Sequence, residues 1–144
     1  MTLHIAKSDY EQLRRHGEQT YPDECCGVLL GQIQQNGIKS VASAVPCQNQ
    51  RSDSPQNRYF IDPRELLHIQ RDARQRELDI VGFYHSHPDH PARWSATDLA
   101  EAYWTGCSYI ITSVMNGAAT ETNSFELQGD GDSKCFRDER ISLE

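Results

Sequence analysis

No apolar run in this 144-residue sequence approaches the roughly 20 residues that a bilayer-spanning helix needs. The opening stretch, Met1-Thr2-Leu3-His4-Ile5, lacks the apolar core of a signal peptide, so a soluble, cytoplasmic protein with no membrane partner is expected. Basic residues are few: 14 Lys and Arg against 21 Asp and Glu leave a net charge of −7 and a pI near 5.3. They are also scattered, which argues against a nucleic-acid partner. The five cysteines, Cys25, Cys26, Cys47, Cys107 and Cys135, contain no CxxC spacing. An odd count with an adjacent pair fits neither a disulfide framework nor a zinc ribbon, and reduced core thiols are the simplest reading. Internal repeats and low-complexity segments are missing as well. The length suits one domain, residues 1–144, with the order of the stretch after Gly129 left open.

What remains is an alternation of helix and strand signals. A helix is predicted from Ser8 to about Glu18, with Ser8 as N-cap, Glu11 completing a capping box, and Tyr21-Pro22 ending it. Cys26 to Ile33 reads as a strand, Asn36-Gly37 as a hairpin turn, and Ile38 to Val45 as the antiparallel return. A polar loop, Pro46 to Asn57, precedes a short strand at Arg58 to Ile61. Asp62-Pro63 then opens a helix to about Glu77, with Leu66, Leu67, Ile69 and Ala73 as its apolar face. Asp79 to Tyr84 is apolar and rich in β-formers, so it reads as a buried strand that runs on to His87. A helix from about Ala96 to Thr105, a strand at Ser108 to Val114, and short strands at Phe125 to Leu127 and near Lys134 to Arg137 complete the chain. The mixture of alternation and hairpins predicts an α/β layer fold, a mixed sheet flanked by helices.

On the strand ending at His87, side chains alternate, so His85 and His87 share a face. After seven intervening residues stands Ser95, and Asp98 follows early in the next helix. Two imidazoles and a carboxylate suit a catalytic zinc with an open fourth position. Each piece also has a plain explanation. A histidine pair at a strand end is often a polar edge, and Ser95-x-x-Asp98 is a capping box whatever the function. One hydroxyl would not serve well as cap and as catalyst at once. A zinc hydrolase also needs a base beside the activated water, and Glu24, at the entry of the first apolar strand, is the candidate by position. A solvated acidic pair with Asp23 is the alternative. Ser86 faces away from the histidines and reads as structural. Cys25 is a bystander next to Glu24, His90 a rival ligand in the following loop, and Trp94 a bulky group at the site mouth.

Together, Glu24 ahead of Cys-Gly-Val-Leu-Leu-Gly, His85-Ser86-His87-Pro88, Ser95 and Asp98 resemble the motif of the JAMM (MPN-plus) metalloprotease family at every position. The resemblance spans Glu24 to Asp98, and the element order to about residue 115 agrees with the family's fold. The phrase His-Ser-His-Pro-Asp-His-Pro-Ala-Arg is most similar to the small bacterial branch, whose members act on ubiquitin-like sulfur-carrier proteins. The resemblance implies a mixed sheet similar to that of cytidine deaminases and one Zn2+ per chain on His85, His87 and Asp98. It further implies Glu24 as general acid/base and Ser95 as donor to the oxyanion. The implied reaction is hydrolysis of a peptide or isopeptide bond after the C-terminal Gly-Gly tail of the carrier protein, with the Pro46–Asn57 loop as a substrate-contacting flap. Exposed strand edges of a mixed sheet would also allow a homodimer. Two rivals stand beside this reading. A zinc amidase or deaminase on a small molecule would fit the fold, but the deaminase signature His-x-Glu with Pro-Cys-x-x-Cys is missing. A non-catalytic scaffold of the same fold would lack the motif that is intact here.

Overall fold

Short apolar runs separated by turn residues build a seven-stranded mixed sheet with two long helices against it. The computed structural model describes residues 1–144. In chain order the elements are β1 (Thr2–Ile5), α1 (Lys7–Thr20), β2 (Cys26–Ile33), β3 (Lys39–Cys47), α2 (Pro63–Gln75), β4 (Asp79–Pro88), α3 (Ala96–Ala100), β5 (Ser108–Met115), β6 (Ala118–Gln128) and β7 (Cys135–Leu143). The spatial order is β1-β3-β2-β4-β5-β6-β7, and β1 lies parallel to both β3 and β7, closing the sheet into a barrel. The seam to β3 is brief, with only Leu3 and His4 paired, against Lys39 and Ser40. Farther along β3, α1 takes over the flank, where Gln12 Nε2 donates to the Ala44 carbonyl at 3.4 Å. The strand edges expected to be open are therefore largely consumed within the chain. None of the helices is long and apolar enough to cross a membrane.

Two apolar clusters use the two faces of β2 and β4. One gathers Cys26, Val28, Leu30, Phe83, Tyr109 and Ile111 with Ile69 and Ala73 of α2. The other gathers Leu3, Ile5, Cys25, Leu29, Tyr84 and Ile110 with Leu13 of α1. The β2–β4 register shifts by one residue between Leu29 and Leu30, which face Gly82 and Ile80. Beyond that shift Phe83 belongs to the α2 side, and Tyr84 to the α1 side. A strand has a period of two, so His85 and His87 follow Phe83 and Ser86 follows Tyr84. Ser86 is fully buried and its Oγ accepts the Cys25 amide at 2.8 Å. Gly17 lets α1 press against it, since a Cβ there would stand 3.1 Å from Ser86 Cβ and Val114 Cγ2.

Away from the histidines the sheet carries a buried ionic cluster. Lys39, 2% exposed, donates to Ser108 Oγ at 2.9 Å and to Glu126 and Glu139 at 2.7 Å each. Ser108 and Ser124 donate to the remaining oxygen of Glu139, at 2.6 and 2.8 Å. The cluster ties β3, β5, β6 and β7 together. Lys39→Met would leave the Glu139 carboxylate buried without a cation, so a loss of about 3–5 kcal/mol is expected in urea denaturation. A loss under 1 kcal/mol would mean that the cluster is dispensable.

Several elements depart from the sequence expectations for identifiable reasons. The first helix starts at Lys7 with Ala6 at the cap position and no side-chain cap; the Lys7 amide donates instead to the Glu144 carbonyl at 3.0 Å. β1 precedes it where no strand was expected. Arg58–Ile61 joins no ladder; Asn49 and the Gln50 amide, which donates to the Phe60 carbonyl at 2.8 Å, supply its partners. Asn49 Nδ2 donates to the Arg58 carbonyl at 3.0 Å and its Oδ1 accepts from the Phe60 amide at 3.1 Å. Leu67 is 47% exposed, off the buried face of α2. α3 stops at Ala100 rather than near Thr105, and the chain then turns so that Trp104 packs on Phe83 at 5.4 Å. β6 and β7 are far longer than their apolar cores, and β7 orders the stretch after Gly129.

Candidate metal centre

Strand β4 delivers the two histidines, and the segment just before β2 delivers the carboxylate of Glu24 beside them. Cys26 pairs with His85, and the Cys25 carbonyl accepts the Ser86 amide at 3.3 Å. Continuing that antiparallel register sets Glu24 across from His87. The second acid, Asp98, arrives through a helix cap. Ser95 Oγ accepts the Asp98 amide at 3.0 Å, and Asp98 Oδ2 accepts the Ser95 amide at 2.9 Å. This reciprocal box orients the Asp98 carboxylate back toward β4.

One donor atom from each of His85, His87 and Asp98 falls within 4.8 Å of the others. His85 Nε2 stands 3.2 Å from His87 Nε2 and 3.3 Å from Asp98 Oδ1, and His87 Nε2 stands 3.1 Å from Asp98 Oδ2. Donors about 2.0–2.2 Å from a tetrahedral zinc stand about 3.3 Å apart, so these separations fit the ion. The His87 tautomer fits as well, because its Nδ1 is 2.9 Å from the Pro91 carbonyl. A proton held there leaves the Nε2 lone pair free. Two facing ring nitrogens share at most one proton, and a cation relieves that shortage.

The electrostatics follow the same geometry. Burial alone would raise the Asp98 carboxyl, but His85, His87 and the Ser95 amide outweigh it and hold the group far below the usual carboxylate range. Burial pushes His85 down. Burial also opposes protonation of His87, yet the hydrogen bond and charge of Asp98, with the Pro91 carbonyl, hold it above its ordinary value. Glu24 is 3% exposed, and one of its oxygens, Oε1, is buried with no hydrogen-bond partner. Burial, then the charges of Asp98 and Glu101, push its carboxyl up to about 9. A buried acid poised this way belongs to a proton-transfer site far more readily than to a solvated pair with Asp23.

Glu24, His87 and Ser95 open into a cleft of about 380 Å³ whose walls include Asn57, Arg58, His90 and Trp94. His90 is exposed and outside the triad, so the rival ligand joins the wall instead. Trp94, 40% exposed, is one of the residues lining the cleft. The cap uses the Ser95 oxygen only as an acceptor, so the hydroxyl proton is not engaged by it. All five cysteines are free thiols; Cys25 and Cys26 are buried, and burial pushes the Cys25 thiol up to about 12, which suits a bystander.

Sequence reading missed two residues here. Asn49 Nδ2 also donates to the Glu24 carbonyl at 3.2 Å, and the Glu24 amide donates to the Pro55 carbonyl at 2.8 Å, so the polar loop clamps the acid from both sides. Tyr59 stacks on His85 with centroids 4.7 Å apart. Neither carries a local signal beyond its place in or beside a loop already singled out. Tyr59 also lines a second, apolar groove of about 450 Å³ with Phe60, Leu66, Phe83, Tyr103 and Trp104. An ion pair between Arg58 and Glu101 stands between the groove and the cleft.

With this geometry in place, likenesses to other proteins carry weight. The family of prokaryotic homologs of the JAB domain matches residues 6–128. The desampylase of Haloferax volcanii is 39% identical over 92 residues, which are 64% of this chain and 63% of that protein. The chain thus spans a little under two thirds of that relative's length. The probable TtuB-protein conjugate cleaving protease of Thermus thermophilus is 30% identical over 111 residues, covering 77% of this chain and 70% of its own. A protein of Desulfitobacterium hafniense, solved in solution, superposes with a TM-score of 0.82 at 31% identity, over 99% of this chain and 92% of the other.

Proposed function

The chain belongs to the prokaryotic JAB-domain family, among the small bacterial JAMM proteins, and from that premise we propose that it is a zinc peptidase acting on a ubiquitin-like protein. The bond cut follows the C-terminal Gly-Gly of a sulfur-carrier protein, and residues 1–144 act as one catalytic domain in the cytoplasm. The observation that carries this reading is the convergence of three donor atoms within 4.8 Å beside a buried acid in one cleft. The Thermus relative is named for cleaving conjugates of a protein, which supports a protein substrate over a small amide.

His85, His87 and Asp98 would hold the zinc, which when bound supplies Lewis acidity toward water and the scissile carbonyl. Glu24, as the carboxylate that the charge of a bound cation would favour, accepts the proton that water gives up and returns it to the leaving amine. The Ser95 hydroxyl donates to the oxyanion while its oxygen keeps the cap. Trp94 and Asn57 narrow the approach, so the two residues before the cut must be small, as glycines are. The apolar groove beside Tyr59 receives the side chains that precede them. The segment 58–61, engaged on one side by Asn49 and Gln50, offers its other side to a strand-like tail.

Zinc analysis of protein purified without chelator, paired with mass spectrometry of a ubiquitin-like carrier extended beyond Gly-Gly, tests the reading. About one zinc per chain and a product ending in Gly-Gly are expected. Zinc with no cleavage of any extended carrier would overturn the substrate, and no zinc after reconstitution would overturn the enzyme. Within this scheme Ser95→Ala should lower kcat by about 10²–10³ with zinc retained. It should also cost roughly 1 kcal/mol in a thermal melt for the lost cap. An unchanged kcat would remove Ser95 from the oxyanion.

A further inference from the structure

Metal-binding imidazoles ordinarily have their second nitrogen fixed by a hydrogen bond, which sets the ring plane and tautomer. His87 obeys this, through Pro91. His85 does not: its Nδ1 is buried and has no partner. What touches that ring is Tyr59, stacked at a centroid distance of 4.7 Å and an interplanar angle of 27°, while the His87 ring lies tilted to it at 55° with centroids 5.1 Å apart. Tyr59 comes from the segment that Asn49 holds through the Arg58 carbonyl and Phe60 amide, and that Arg58 ties to Glu101 just past α3. The loop therefore reaches one ligand by stacking and the helix carrying another by an ion pair.

We propose that Tyr59 is a positioning residue for the metal centre: its ring, in place of a hydrogen bond to Nδ1, fixes the imidazole plane of His85. The inference rests on the zinc reading above. The same ring lines the apolar groove, so filling the groove and binding the metal act on one side chain. Coupling of this kind is reciprocal: a groove ligand that steadies Tyr59 tightens the metal, and the metal tightens the ligand.

Zinc affinity of the substrate-free protein, by competition with a chromogenic chelator, reads the role without activity. Tyr59→Phe keeps the stack and should bind zinc within twofold of the unaltered chain. Tyr59→Leu keeps apolar bulk but not the stack, and should weaken zinc about 10-fold or more. The visible spectrum of the cobalt-substituted protein should change in Tyr59→Leu and not in Tyr59→Phe. If Tyr59→Leu fails to fold, Asn49→Ala, which frees the segment, should weaken zinc in the same direction. Equal affinity in all of these would overturn the inference alone, as would a Tyr59→Phe loss as large as that of Tyr59→Leu. A defect confined to KM would make Tyr59 a substrate contact only. An unaltered chain that binds no zinc would overturn the functional reading and this inference with it.

Discussion

Glu24→Gln is expected to abolish cleavage, by about 10²–10⁴ in kcat, while zinc content stays at that of the unaltered chain. The substitution keeps size and one acceptor oxygen but removes the group that exchanges a proton. Glu24 makes no contribution to the His85, His87 and Asp98 donor set, so the metal should be unaffected. A second effect runs the opposite way. In the metal-free protein, burial and two neighbouring carboxylates raise the Glu24 carboxyl to about 9. A raised folded-state pKa gives stability that is present below the unfolded value, near 4.5, and lost as pH rises through about 9. Chelated protein should therefore weaken between pH 5 and 8, and Glu24→Gln should remove much of that slope. The variant should be the more stable at pH 8, by on the order of a few kcal/mol. Urea denaturation at the two pH values checks this; parallel profiles would show that Glu24 is solvated in solution. A dead but more stable enzyme is the signature of a group kept for chemistry at the fold's expense.

Asp98→Asn should empty the site. Its carboxylate lies within 3.3 Å of both imidazoles and is the only anion of the triad. Asparagine still offers an oxygen to the Ser95 amide and its own amide to Ser95 Oγ, so the cap of α3 survives. The metal-free protein keeps that cap but loses the charged contacts of the carboxylate with His85 and His87, so its thermal stability should fall by about 1.5–3 kcal/mol. Zinc affinity should fall by more than the 10–100-fold typical of losing a ligand's hydrogen-bond partner, and activity should fall with it at micromolar zinc. Excess zinc would restore part of the activity if the ligand set were otherwise intact. Retention of zinc at full affinity would remove Asp98 from the metal and leave it a capping residue.

The centre of the site was legible because its parts lie at spacings the backbone dictates. A strand places His85 and His87 on one face, and a capping box aims Asp98 whatever else it does. Strands β2, β4 and β5 were legible for a related reason: each is a dense apolar run buried on both faces. The rest of the sheet was harder. β1 offers only Leu3 and Ile5 as apolar residues, too few for a period to register, and its partners lie far off in sequence. β6 begins in Ala-Ala-Thr-Glu-Thr-Asn, which is polar enough to read as loop, yet pairing with β5 makes it strand. The expected cap at Ser8 fails because a backbone carbonyl from residue 144 serves instead, a partner no local window contains. The same holds at the site. Asn49 and Tyr59 matter through contacts to residues 25 and 26 positions away, so composition and spacing are silent about them.

The seam made by β1 sets an order of events during synthesis. Thr2 to Ile5 pair with Arg140 to Leu143, so the barrel cannot close until residue 143 has left the ribosome. Loop entropy makes so distant a pairing late even in a free chain. Glu24, the two histidines and Asp98 all emerge within the first 98 residues, and the β2–β4 pairing that gathers most of them needs only nearby sequence. A nascent chain can thus carry its metal ligands while β1 and α1 still await their last partners. A metal held by His85, His87 and Asp98 at that stage would steady the half-made sheet until β7 arrives.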